Sequence, residues 1–145
     1  YLILIFGNFW SKQSLDQLGI EYKSFGFIDD KNLLNCVYSS SDMFVFPSIQ
    51  EAFGKTWAEA MACGLHVLAN DVGDSRAIIG NTGYICSSPD AKIVSKQIRS
   101  IFARRNNVVK PADPRQRVLT SFSCNAMVEA YASLYQKEML DHVSK

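Results

Sequence analysis

The chain has 145 residues, a hydrophobic fraction of 48% and a formal net charge of +1. That length suits one domain with a substantial core but not two, and the near-neutral balance leaves no overall electrostatic footprint for nucleic acid or an anionic membrane. Four cysteines without C-x-x-C spacing argue against a disulfide framework; Cys63 and His66 stand at a ligand-like separation, with no second pair to complete a metal site.

The opening YLILIFG is too short to span a bilayer and carries no charged leader, so Leu2–Phe6 reads as a buried parallel strand. A helix is expected near Ser14–Leu18 and a strand over Tyr22–Phe25. Asp29 or Asp30 then caps a helix over Asp30–Ser40, because a carboxylate takes the free N–H groups of a first turn. Met43–Phe46 reads as a strand, Gly54–Cys63 as a helix with Cys63 a buried free thiol, Val67–Ala69 as a strand and Tyr84–Cys86 as a short one. Ala91–Arg105 reads as a helix, and Pro111 and Pro114 break the pattern after Lys110. Basic residues cluster at Arg104-Arg105 and at Lys110, Arg115 and Arg117; a solvated connection is the default explanation and contact with phosphate head groups the alternative. A last helix over Asn125–Leu140 puts Val128, Ala132, Tyr135 and Met139 on one stripe, expected to pack on a core. Alternating strands and helices give an α/β fold, a Rossmann-like parallel sheet with helices on both faces.

The stretch Pro47–Asn70, PSIQEAFGKTWAEAMACGLHVLAN, holds two glutamates eight positions apart. Glu51 falls on a strand-to-helix loop and Glu59 about a turn and a half inside the helix that Gly54 opens. The first N–H groups of a helix lack partners and carry partial positive charge, which favours phosphate. A glycine there lets backbone N–H groups approach a diphosphate. The carboxylates repel phosphate but accept well from sugar hydroxyls. At about 1.5 Å per residue, Glu59 stands roughly 7 Å along the axis from the Gly54 end. A ligand with a central diphosphate and a sugar at each end fits that spacing. Equally compatible is the plainer reading, in which Glu59 is a solvated helix residue and Glu51 complements the helix dipole. The loops after three strand ends, at Asn8, Glu51 and Asp71–Asp74, are expected to open on one sheet edge, where ligands of such sheets bind.

This stretch resembles the glycosyl transferases group 1 family (glycosyltransferase family 4), in its nucleotide-sugar-binding C-terminal domain. Phe25-Gly26-Phe27-Ile28-Asp29-Asp30 is similar to the family's "GFVDD" turn, and YSSSDMFVFPS, residues 38–48, to its "YSxADVFVLPS" strand. Glu51 to Gly64 resembles the E-x(7)-E segment with "EAMACG". Asp71-Val72-Gly73-Asp74 and Ile79-Gly80-Asn81-Thr82-Gly83 resemble the "DVGDxxxIVGDTG" loop, and Arg117 to Tyr135 the tail. Three positions depart from the pattern: His66 replaces a proline, Asp74-Ser75-Arg76-Ala77 replaces "GxPE", and Cys86-Ser87-Ser88 is less hydrophobic than "LVPP". The second departure is shared in part by relatives resembling capsule and lipopolysaccharide sugar transferases.

The resemblance implies that the chain is the C-terminal half of a GT-B glycosyltransferase with its tail helix, over residues 1–145. It further implies that the N-terminal acceptor domain and the first strand–helix unit are absent, so that the fragment alone is inactive. The intact enzyme would transfer a hexose, with retention, from a UDP-, GDP- or ADP-sugar to a sugar or glycolipid acceptor in surface polysaccharide or glycolipid synthesis. Glu51 would be the catalytic residue, facing the donor sugar and stabilising charge. Ala52, Phe53 and Gly54 would offer backbone N–H groups, Lys55 and Thr56 phosphate contacts, Glu59 an acceptor for ribose, and Gly26 and Phe27 the base site. No metal and no other cofactor is expected, and the location is cytoplasmic with peripheral contact at the inner face of the membrane. In the family the tail helix crosses to the other domain, which would leave part of its stripe exposed.

Rival readings are a stand-alone nucleotide-sugar-binding module and a phosphorylase or epimerase on a related scaffold. A dinucleotide-dependent oxidoreductase would need a G-x-G-x-x-G fingerprint, and the first loop, Gly7-Asn8-Phe9-Trp10, has one glycine. A Ser–His–Asp hydrolase has only His66 and His142 to draw on and no G-x-S-x-G elbow.

Overall fold

The computed structural model describes residues 1–8, 11–17, 19–104 and 111–143. Leu18, Arg105 and Lys110, named above, lie outside the described residues, as do Phe9 and Trp10. The chain divides into two compact units, residues 1–42 and 43–145, each treated by itself.

In the first unit, β1 (Leu2–Ile5) and β2 (Glu21–Ser24) pair in parallel, with Leu2 opposite Glu21 and Ile5 opposite Ser24. α1 (Lys12–Asp16) connects them and α2 (Lys31–Ser39) follows. Asp30 caps α2: one carboxylate oxygen accepts from Asn32 N at 2.8 Å and Leu33 N at 3.4 Å, so the expected cap is this aspartate rather than Asp29. The apolar alternation of β1 correctly marks a parallel strand, but not a buried one. Leu2 and Ile3 are 55% and 37% exposed, because β2 is the one described strand that pairs with β1.

The second unit contains β3 (Phe44–Phe46), α3 (Lys55–Ala62), β4 (Val67–Asn70), α4 (Ser75–Ile79), β5 (Tyr84–Cys86), α5 (Ala91–Arg104), α6 (Pro114–Ser121) and α7 (Cys124–Val143). Its three strands run parallel in the order β3-β4-β5, with Val45 opposite Leu68 and Leu68 opposite Tyr84. Side chains alternate across a strand. One face therefore gathers Val45, Leu68, Tyr84 and Cys86, and α5 covers it with Val94, Ile98 and Ile101. Val67 and Ala69 point to the opposite face, and all four residues of β4 are buried, as a strand covered on both faces must be. α3 and α4 pack beside β4.

Two helices escape the sequence reading. Pro114, read above as a breaker, is instead the first residue of α6, with Asp113 as its cap accepting from Arg115 N at 2.9 Å. Proline has no N–H to lose at that position, so it starts a helix as readily as it ends one. α4 is only five residues long and lies within a loop-like sequence. The stripe of α7 is not core in this chain: Val128, Tyr135 and Met139 are 60–70% exposed. Cys63 is half-buried, and the buried thiol is Cys86, which donates to Ser88 O at 3.2 Å.

Candidate functional site

Because β3 and β4 are parallel, the loops that follow them open on the same edge of the sheet. The β3 loop, residues 47–54, is built from its own hydrogen bonds and from ties to the β4 loop. The Ser48 hydroxyl donates to Gln50 O at 2.7 Å, and the Asn70 amide donates to Ser48 O at 2.9 Å. Asp74 N donates to Ala52 O at 3.1 Å. Gly73, at φ +50°, lies so close that a Cβ there would be 2.0 Å from Glu51 O. This left-handed backbone suits glycine, and no side chain fits the gap. The Phe53 ring meets Phe122 edge-on at 5.8 Å, which ties the far end of the loop to the end of α6. The result leaves Glu51 half-buried, Ala52 and Phe53 exposed and Gly54 buried.

Gly54 caps α3 without any side-chain hydrogen bond; Trp57 N donates to Gly54 O at 2.9 Å, and the Lys55 and Thr56 amides at the very start of the helix are those suited to an anion. Its φ of −69° is open to any residue, so backbone conformation does not demand a glycine here, whereas packing does. A Cβ would sit 2.0 Å from Trp57 Cε3, in the space this fully buried indole occupies. Trp57 Nε1 has no partner. Within α3, Lys55 and the half-exposed Glu59 form a loose ion pair at 3.8 Å, and Thr56 is half-buried. Such an exposed i,i+4 pair is worth about 0.3–0.5 kcal/mol.

Gly26 and Phe27 belong to the first unit. Gly7 N donates to Gly26 O at 2.7 Å, Gly26 has φ +62° with Asn8 Oδ1 3.7 Å from where a Cβ would stand, and Phe27 is 70% exposed. The loops after β1 and β2 thus meet at one edge of that sheet, as those after β3 and β4 do in theirs. The structure brings together Glu51 to Glu59 and the Asp71–Asp74 loop, while Gly26 and Phe27 lie in the other unit.

Asp71 and Arg76 form a bidentate pair at 2.6 and 2.7 Å on the surface beside this loop. The Arg76 hydrogen bond holds the Asp71 carboxyl below the usual carboxylate range, and Asp71 in turn raises the guanidinium. Neither is then free for a ligand without breaking the pair. His66 Nδ1 lies 2.7 Å from Thr82 O, so the ring donates from that nitrogen and fastens the start of β4 to the turn before β5. The basic cluster is also reassigned. Arg115 donates to Ala62 O, and Arg117 donates through Nε to Ile78 O at 2.7 Å and through Nη2 to Ala77 O. Both close helix C-termini, where carbonyls lack partners, and neither is a solvated link.

Residues 2–116 match the profile of the glycosyl transferases group 1. The chain belongs to this family. Among proteins similar to it, the O-antigen chain mannosyltransferase B of Escherichia coli is 32% identical over 73 residues, half of this chain and 19% of that protein. Sucrose-phosphate synthase from Thermosynechococcus elongatus superposes with a TM-score of 0.71 at 26% identity, over 97% of this chain and 38% of the synthase. Anabaena HepE, solved in complex with UDP, gives a TM-score of 0.71 at 19% identity, over 92% of this chain and 40% of HepE, and shows the common fold. The chain thus spans well under half of the length of the proteins it matches. Membership makes this glycosyl transferases group 1 chain part of a transferase family with relatives in surface polysaccharide synthesis.

Sequence reasoning passed over three residues that shape the site. Trp57 was hidden among ordinary helix positions, Asn70 fell just past the strand expected over Val67–Ala69, and Gly73 was seen as a motif letter. Only Gly73 carried a signal, since a glycine between two acidic residues after a strand suggests a positive φ.

Proposed function

We propose that residues 1–145 are the donor-binding half of a GT-B glycosyltransferase. In this reading, the intact enzyme transfers a hexose from a nucleoside diphosphate to an acceptor hydroxyl with retention. The observation that supports it best is the pinned loop at the C-terminal edge of β3. That loop presents the half-buried Glu51 next to exposed backbone and an uncapped helix start, with Glu59 further along the same helix. The uncapped end suits the diphosphate, and the two carboxylates suit hydroxyls on either side of it. Ala52, Phe53 and Gly54 contribute backbone donors, Lys55 and Thr56 phosphate contacts, and Gly26 and Phe27 the base site.

Catalysis in this reading is electrostatic, with preorganised dipoles stabilising the leaving diphosphate and Glu51 stabilising positive charge at the anomeric carbon. No metal is required; loss of the intact enzyme's activity on adding a chelator would refute that. The acceptor, a sugar or glycolipid, is bound by the partner domain of the intact enzyme, so this half by itself turns over no substrate.

The enzyme works in the cytoplasm, and its peripheral membrane contact is assigned to α5. No described helix is long and apolar enough to cross a membrane. α5 has no acidic residue, and Lys92, Lys96 and Arg99 recur on one stripe beside a groove of about 500 Å³. Arg115 and Arg117 are engaged by carbonyls, whereas this stripe offers its cations to anionic head groups, each worth about 1 kcal/mol near such a surface.

Binding of UDP, GDP and ADP and of their sugar conjugates to the chain tests the proposal, using wild type and Glu51→Gln. One conjugate should bind more tightly than its nucleoside diphosphate, and Glu51→Gln should erase that difference. Equal affinities in wild type would refute the role of Glu51. The stand-alone module remains the second reading: nucleotide affinity without the acceptor domain favours it over an obligate half only if the intact protein shows no transfer.

A further inference from the structure

Asn70 ends β4 and is 2% exposed. Its Nδ2 donates to Ser48 O at 2.9 Å, while its buried Oδ1 has no partner. A half-satisfied buried amide contributes little to stability, because the unpaired carbonyl offsets much of what the one hydrogen bond returns. Core cohesion therefore explains this side chain poorly. What its single bond does is fix a carbonyl in the neighbouring loop, three residues before Glu51.

The same strand end grips the loop on the other side of Glu51. Gly73 approaches until a Cβ would lie 2.0 Å from Glu51 O and 2.8 Å from Ala52 O, and Asp74 N donates to Ala52 O at 3.1 Å. Ser48, Glu51 and Ala52 are thus all held by residues 70–74. Glu59 stands apart from this grip, because it is carried by α3.

We infer that Asn70 and Gly73 form a latch that sets the position of Glu51, and so are positioning residues for recognition of the donor's sugar as distinct from its nucleotide. The inference deepens the proposed function and rests on its assignment of Glu51 to the sugar. It separates two parts of one ligand: the latch governs the sugar end, and α3 carries the Glu59 that faces the ribose.

Backbone amide NMR of the 145-residue chain tests it, with UDP and UDP-glucose, GDP and GDP-mannose, and ADP and ADP-glucose as probes. Asn70→Asp keeps the shape but turns an oxygen toward the Ser48 carbonyl. Gly73→Ala inserts the forbidden Cβ, and Gly73→Asn tolerates positive φ yet brings the same Cβ. In each variant the amides of residues 49–53 should shift and lose order while those of α5 stay unchanged. The best sugar conjugate should weaken about tenfold, the loss of one well-placed hydrogen bond. Its nucleoside diphosphate should hold within about twofold, well below that factor. Should Asn70→Asp fail to fold, the two Gly73 variants carry the same comparison. Unchanged order and shifts at residues 49–53 would overturn the latch. A loosened loop with equal loss of nucleotide and conjugate would overturn its selectivity. Wild type binding no conjugate better than its nucleotide would remove Glu51 from the sugar, while the loop amides still decide the latch.

Discussion

Replacing Gly54 by alanine isolates one structural cause at the start of α3. The new Cβ would lie 2.0 Å from Trp57 Cε3 and 2.1 Å from Cδ2. The indole is fully buried, with no solvent side to swing into. Overpacking a filled core costs about 1–3 kcal/mol. The backbone at φ −69° accepts alanine, so the substitution also recovers about 0.4–1 kcal/mol by restricting the unfolded chain. The net loss is roughly 0–2.6 kcal/mol, and the immovable ring favours the upper half. At this chain length each kcal/mol lowers Tm by about 2–4 °C. Urea unfolding followed by circular dichroism measures the loss directly. Trp57→Leu serves as the control background, because removing the indole removes the clash. There Gly54→Ala should be neutral or slightly stabilising. The same loss in both backgrounds, or no loss in the wild-type background, would refute packing against Trp57 as the reason for this glycine.

Three other outcomes follow from the geometry. Arg117→Lys cannot bridge Ile78 O and Ala77 O together; losing a charged hydrogen bond should cost about 1.5–3 kcal/mol in urea unfolding, and an unchanged midpoint would contradict that role. Arg76→Ala should return the Asp71 carboxyl to the ordinary range in an NMR titration, since the Arg76 hydrogen bond is the main cause of its depression. The sign follows from linkage: the pair's small contribution is present above the ordinary aspartate pKa of about 3.9 and disappears as pH falls through the lower folded value. An unmoved Asp71 midpoint would rule out the pair as the cause. Charge reversal at Lys92, Lys96 and Arg99 should abolish sedimentation of the chain with anionic vesicles and leave the zwitterionic control unchanged. Equal binding to both vesicle types would exclude α5 as an electrostatic contact.

Much of the frame can be read directly from residue chemistry. Asp30 before an apolar-periodic run announces a helix start, and the carboxylate accepts the expected amides. Short apolar runs at Met43–Phe46 and Val67–Ala69 announce strands, and the parallel pairing of β3 with β4 opens the loops of Glu51 and Asp71–Asp74 on the same sheet edge. What stays hidden depends on surfaces from elsewhere in the chain. The apolarity of β1 and α7 says that something covers them in principle, not that this chain does so. The charges of Arg115 and Arg117 suggest solvent, because no sequence pattern displays the orphan carbonyls of helices 39 to 53 positions upstream. Gly54 illustrates the same limit: the sequence marks a helix start, but the reason for glycine is a ring folded back from three residues later. The reading of α4 failed on length, since five residues give too little periodicity to separate a helix from a turn.

The most direct test of the account is ligand-observed NMR of the chain with UDP, GDP and ADP, in wild type and Glu59→Ala. The account predicts that one of the three nucleotides binds and that Glu59→Ala removes that binding, because its carboxylate accepts from the ribose hydroxyls. A nucleotide bound equally well by both proteins would contradict the assignment of α3 to the donor.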